Sequence, residues 1–236
     1  MSDEPPAQQG APEAETDPAG MRHVGIIAGS NSQIMLLVGD VEVAERWRGC
    51  ENGEDDSGKG SDWELCLDAL QDDDAAVVAF DGGELLAFQI FTGGRVDAYR
   101  AGDSLVLVEV TYTSDGSSVR TDADFLSYVA SPFSEPVFDA GSFVVSSGAI
   151  AILPATLPGD GAAVVLPGAG PADVAKLPPH DPTGWEDDGL AIRLPAGGYR
   201  VGVEKPVKRP WGGACRAVIR AWPDGALTEG QSAASR

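Results

Sequence analysis

Residues 75–91 read Ala-Ala-Val-Val-Ala-Phe-Asp-Gly-Gly-Glu-Leu-Leu-Ala-Phe-Gln-Ile-Phe, two short apolar runs on either side of Asp81-Gly82-Gly83. The runs Ala75–Phe80 and Glu84–Phe91 have the length and composition of strands. Glycine supplies the positive φ that a tight turn between them needs, so the stretch predicts a β-hairpin. The same signal recurs outward along the chain, at Val24–Ala28, Gln33–Val38, Leu105–Tyr112, Phe143–Val145, Ala149–Leu153, Ala162–Leu166, Leu190–Leu194, Tyr199–Glu204 and Ala214–Trp222. In one run Leu105, Leu107, Glu109 and Thr111 alternate with Val106, Val108, Val110 and Tyr112, the period of a half-buried strand. With 30 Gly and 17 Pro in 236 residues, the chain reads as mainly β, an α+β protein with few short helices.

Three helices are expected. Asp40 is placed to cap Val41–Trp47. Ser61-Asp62-Trp63-Glu64 is a capping box, and Trp63, Cys66, Leu67 and Leu70 follow at the spacing of one inward stripe. The third helix, Thr121–Ala130, stops before Pro132.

The order of these elements repeats. Ile26–Leu37 resembles Val144–Leu153, and Gly93-Gly94-Arg95-Val96 resembles Gly197-Gly198-Tyr199-Arg200-Val201. Each glycine pair is followed by a β run, Leu105–Tyr112 or Ala214–Trp222. The pattern predicts an internal duplication with two similar β-rich lobes, 22–131 and 132–225. The flanking segments 1–21 and 226–236 are too polar to build a core.

The formal net charge is -21, and it is unevenly placed. Between Glu51 and Asp74 there are ten carboxylates and one base, Lys59. Between Leu190 and Trp222 there are seven bases and one acid, Glu204, the composition of strands that complement acidic loops elsewhere in the chain. General adaptation to salt would spread acids evenly, whereas here they bunch. Concentrated acidity repels nucleic acid and anionic membrane and attracts basic proteins. No apolar run approaches the roughly 18 residues of a membrane helix. The first 20 residues have no base and no apolar core of the kind a secretory signal carries, which predicts a cytoplasmic protein. Cys50, Cys66 and Cys215 form no CxxC pair and read as free thiols, with a Cys50–Cys66 bridge as the alternative.

No catalytic constellation emerges. His23 and His180 are the only histidines, each in a loop-like or terminal context, and no Gly-x-Ser-x-Gly elbow exists. Three scattered cysteines do not make a zinc site. An EF-hand register starting at Asp55 puts Lys59 and Cys66 where oxygen ligands belong. Pro167-Gly168-Ala169-Gly170 places Asp173 where a dinucleotide loop needs glycine. The expectation is therefore no enzyme, no metal and no cofactor. Trp47 and Trp63 flank the acidic loop; each fits either the core or a partner-anchoring position.

Leu36-Leu37, then Trp47-Arg48-Gly49, then Ser61-Asp62-Trp63 leading into Cys66 resembles the pattern of immunity protein family 21 of bacterial polymorphic toxin systems. Leu190–Pro195 running into Gly198-Tyr199-Arg200-Val201 is similar to the closing strands of such proteins. The chain departs from the pattern in the length and acidity of Glu51–Gly60 and in having Trp63 in place of Tyr. What the resemblance implies is a cytoplasmic antidote that binds a cognate secreted toxin stoichiometrically, a basic nuclease being one such toxin. The expected partner-binding residues are Glu51, Glu54, Asp55, Asp56, Asp72, Asp73 and Asp74, with Trp47 or Trp63 exposed beside them. The competing readings are an enzyme on a β scaffold and a regulatory binding module unrelated to toxins, with generic acidity in either case.

Overall fold

The computed structural model describes residues 21–28, 34–51, 60–71, 73–91, 95–102, 104–109, 123–131, 138–163, 166, 173–177, 189–209 and 212–221. In chain order the elements are β1 (Met21–Ala28), β2 (Ile34–Asp40), α1 (Val41–Ala44), α2 (Asp62–Leu70), β3 (Ala75–Phe80), β4 (Gly83–Phe91), β5 (Arg95–Ala101) and β6 (Ser104–Glu109). They continue with α3 (Ala123–Ala130), β7 (Phe138–Val145), β8 (Ala149–Pro154), β9 (Val174–Lys176), β10 (Leu190–Arg193), β11 (Gly197–Arg209) and β12 (Gly212–Ala221). The fold is mainly β, and every strand pairing is antiparallel.

The strands form two six-stranded sheets, ordered β1-β5-β6-β12-β11-β7 and β3-β4-β2-β8-β10-β9. Adding six to each of the first three numbers in a sheet, and reading backwards, gives the last three. The second set of six strands therefore repeats the first, and the sets meet at β6–β12 in one sheet and at β2–β8 in the other. The boundary expected near residue 132 falls between α3 and β7, where the second set begins.

The two sets do not form separate lobes. β1 of the first set lies against β8, β9 and β10 of the second, and β7 of the second lies against β2, β3 and β4 of the first. Each set thus packs its strands against the other set, and the core between the sheets is shared. Leu36, Val38 and Phe88 from one set meet Ile150, Ile152, Val201 and Ile219 from the other, all fully or almost fully buried. Asp40 fastens the interlock. Its Oδ2 accepts the backbone N–H groups of Ser146 (2.5 Å) and Ser147 (2.8 Å), and its Oδ1 accepts that of Glu42 (2.9 Å), so one carboxylate caps α1 and binds the β7–β8 turn.

Several expectations change. Of the strand expected at Ala162–Leu166, Ala162 and Ala163 lie in a turn and Leu166 in a bend, while 164 and 165 lie outside the described residues. Arg95–Ala101 and Val174–Lys176 are strands that the sequence did not announce. β6 is buried on both faces, with Leu105 and Leu107 between the sheets and Val106 and Val108 beneath Phe125 and Tyr128 of α3. The three cysteines are free, and Cys66 donates to the Met35 thioether. His23 is part of β1, with its Nε2 3.2 Å from Oδ1 of the fully buried Asp97.

Candidate functional site

The outer face of the β3–β4–β2–β8 sheet carries a cap made of α1, α2 and the turns at 45–51 and 155–163. Trp47 fixes the cap. Its side chain is 0% exposed, its indole Nε1 donates to the Ala155 carbonyl at 2.9 Å, and its ring meets Phe80 edge-on at 5.3 Å. Two residues on, Gly49 has φ +57°, and a Cβ there would lie 2.4 Å from the Thr156 carbonyl oxygen. The Trp-x-Gly sequence thus has a packing reason: the Trp fills the core and the Gly admits the neighbouring backbone. Trp47 is therefore no exposed anchor, a correction forced by its size and by the apolar floor of Leu85, Ala87 and Leu153 beneath the cap.

α2 crosses this cap. Ser61 Oγ accepts the Glu64 N–H at 3.3 Å, and the Glu64 carboxylate accepts the Gly60 N–H, a capping box displaced by one residue. Asp62 is buried and accepts the Arg48 N–H at 2.8 Å, so its charge stabilises the fold and is not part of the surface. The inward stripe is Asp62, Cys66 and Leu70, with Trp63 and Ala69 half-buried beside it. Burial pushes the Cys66 thiol up to about 12.

Leu67, expected to face inward, is 39% exposed, and Leu65 is 42% exposed. A nine-residue helix on a flat sheet buries only one narrow stripe, and Leu67 sits about 100° around the axis from Cys66. Two of the four exposed large apolar side chains among the described residues thus lie on α2.

On α2 and close to it in the chain, Asp68, Asp73, Asp74 and Glu51 are exposed and Trp63 is half-buried. Glu54, Asp55, Asp56 and Asp72 lie outside the described residues. Asp73 and Asp74 follow the C-terminus of α2, whose last turn has no base. Acids beyond a helix C-terminus oppose the partial negative charge of its end, an effect that falls off outside the last turn. Asp62 and Glu64 in the first turn are at the favourable end.

The bases of the C-terminal strands meet other partners. Arg200 pairs with Asp139 and Arg216 with Glu204, while Arg22 pairs with Asp173 at 2.9 Å. Of these pairs, two lie on β7, β11 and β12, and Arg22 of β1 pairs at the edge of β9; none includes a residue of α2. Among the described residues, no group of three or more His, Cys, Asp or Glu side chains is placed to hold a metal, and no helix is long and apolar enough to cross a membrane.

Sequence patterns could have found the displaced leucines only by weighing which face of α2 meets the sheet, and that depends on the long-range packing of Trp47. Compared with protein-family models, curated proteins and solved structures, the chain matches none of them.

Proposed function

We propose that this chain is a cytoplasmic binding protein that neutralises a cognate secreted toxin, with the α2 surface as its docking face. One observation carries the reading: Leu65 and Leu67 stand exposed on the two flanks of α2, and Asp68 on the helix and Asp73 and Asp74 just after it are exposed as well. Exposed apolar side chains among charged ones have the composition of an interface.

The surface suits a basic protein. Its field speeds encounter, and Leu67, one turn on from Trp63 and on the same face of α2, supplies with it the desolvated centre where affinity resides. The motif resemblance to immunity protein family 21 supplies the class of partner, a toxin domain encoded by the neighbouring gene, with a nuclease as a class whose basic cleft such a surface would fill. The mechanism is occlusion, and no covalent step is involved.

The test is co-expression with the neighbouring toxin domain, comparing the native chain with Asp68→Asn/Asp73→Asn/Asp74→Asn and with Leu65→Ser/Leu67→Ser. Protection falls in both variants, and the acid variant associates more slowly with a flatter dependence on salt. Full protection by both variants, with unchanged salt dependence, would remove α2 from the interface.

A further inference from the structure

We infer that the open edge of β3 takes an extended segment of a basic partner as a seventh strand of its sheet; the inference rests on the basic-partner reading above and specifies how that partner is held.

Among the described residues the two sheets end in four edge strands, β1, β7, β3 and β9. Exposed edges invite pairing with foreign strands, and proteins blunt them with charges, bulges or short length. β1 carries Arg22 and His23 and is interrupted by a bulge between His23 and Gly25. β7 carries Asp139 and a register shift opposite Val201 and Gly202. β9 is three residues long and ends on Lys176. β3 has none of these devices. Ala75-Ala76-Val77-Val78-Ala79-Phe80 is uncharged, contains no proline, and pairs with β4 in unbroken register over all six residues.

The free side of that edge can be assigned. The Gln89 N–H donates to the Asp74 carbonyl at 2.9 Å, and Ala75 stands opposite Phe88. Alternation in an antiparallel ladder then turns the N–H and C=O of Ala75, Val77 and Ala79 away from β4. Val77 is 50% exposed and Ala79 is exposed. β7 of the other sheet comes near β3 without hydrogen-bonding to it.

Charge chooses the occupant. Exposed Asp73 and Asp74 precede the strand, exposed Asp81 follows it, and exposed Glu84 lies opposite Ala79. In a second copy paired antiparallel about Val77, Asp73 of each chain would face Asp81 of the other. Like charges at both ends disfavour that pairing. A strand with small or apolar residues at alternate positions and Lys or Arg at its ends finds donors, acceptors and charges all matched. This is recognition by strand addition, in which the main chain supplies affinity and the flanks supply selectivity. α2 packs on β3, so one partner can engage both the leucines and the edge.

The experiment uses the full chain and a fluorescent acetylated peptide, Lys-Lys-Thr-Val-Thr-Val-Thr-Lys-Lys. Its controls are a twin N-methylated at the amides of one backbone edge and a twin with Glu in place of every Lys. The variants are Val77→Pro and Val77→Lys. Proline at 77 removes an outward donor and no ladder bond, so the variant keeps the native fold. The Lys-flanked peptide binds the native chain and protects the amides of Val77 and Ala79 from hydrogen exchange. Binding weakens by about tenfold or more with the N-methylated twin and with Val77→Pro, as expected for one or two lost hydrogen bonds. The Glu twin does not bind. Should Val77→Pro unfold, Val77→Lys carries the test, since its charge repels the same peptide at an otherwise intact edge.

Equal binding by the N-methylated twin, or undiminished binding by folded Val77→Pro and Val77→Lys, overturns strand addition while leaving the acidic docking face standing. Failure of the Lys peptide to bind the native chain at all overturns it too. So does a native dimer that Val77→Pro and Val77→Lys convert to monomer, because the edge then belongs to a second copy. If the acidic face itself is not a docking surface, the signature differs: Asp73→Asn/Asp74→Asn leaves peptide affinity and its salt dependence unchanged.

Discussion

Arg216 on β12 and Glu204 on β11 face each other across the ladder, both buried, with the guanidinium Nε 2.5 Å from the Glu204 Oε2. The same guanidinium lies 4.5 Å from the centre of the Tyr128 ring and donates to the Tyr128 and Ser131 carbonyls at the end of α3. One buried cation thus pairs a carboxylate and satisfies the carbonyls that a helix end leaves open. Replacing Arg216 with Met strands the Glu204 charge, and a loss of about 3–5 kcal/mol is expected in urea denaturation. The double variant Arg216→Met/Glu204→Gln recovers part of that loss, because the uncompensated charge is gone. A double-mutant cycle checks both statements.

Tyr128 in this cluster sets an alkaline limit. Burial, then the Glu204 carboxylate, push its hydroxyl well above its ordinary value near 10. Above about pH 10 the unfolded chain loses this proton and the folded chain keeps it, so stability falls as pH rises. Below that pH the group contributes no slope. Tyr128→Phe flattens the alkaline limb of a stability–pH curve, at the cost of the hydrogen bond to Glu204.

Asp40 sets the acid limit. Burial raises its affinity for protons, but the N–H groups of Ser147, Ser146 and Glu42 together outweigh burial and hold the carboxyl below the usual range. The unfolded chain therefore takes up this proton first as pH falls. The stabilisation is complete above about pH 5 and is lost as pH drops through the depressed value. Asp40→Ala leaves three N–H groups short of an acceptor, with an expected loss of about 2–3 kcal/mol and a shallower acid limb in thermal melts.

Gly49→Ala tests the Trp-x-Gly turn. The added methyl meets the Thr156 carbonyl at 2.4 Å and the backbone has φ +57°, so clash and conformation act together. A loss of about 2–4 kcal/mol is expected by denaturant titration, with Trp47 fluorescence shifting red as its pocket loosens.

Gln71, the residue after α2, has φ +31°, the one positive value at a non-glycine among the described residues. Glycine adopts such a backbone without a Cβ penalty, so Gln71→Gly raises stability by about 1 kcal/mol. The turn into Asp73 and Asp74 is then easier to form, and thermal melts read the gain.

What the sequence makes legible is what is local. The Asp81-Gly82-Gly83 hairpin, the Asp40 cap and the Ser61 capping box each depend on residues a few positions apart, and each forms close to where it is expected. β5 is not legible. Asp97 and Arg100 give it a loop-like composition, and Asp97 is buried beside His23, 74 residues away in sequence. Ala162–Leu166 has the apolar content of a strand, yet 161–163 form a turn, just after Gly159 packs closely on the Ala44 carbonyl. The same limit governs the site: the charge of the acidic stretch is plain in the sequence, whereas the burial of Trp47 rests on a contact 108 positions later and the outward rotation of Leu67 on how α2 lies against β3 and β4.

The interlocked repeat has a consequence for how the chain is made. Because β1 packs against β8, β9 and β10, and β7 against β2, β3 and β4, the first half leaves the ribosome before part of its facing layer exists. At roughly 5–20 residues per second, the 84 residues from β7 to β12 take on the order of ten seconds to follow. For that interval the inner faces of β2 and β4 lack the cover that β7 gives them, although α1, α2 and α3 are already made, and the unbroken edge of β3 is flanked by Asp73, Asp74 and Asp81, charges that disfavour pairing between sister chains. The aspartates at the two ends of β3 thus bear on the unfinished chain as well as on the finished one.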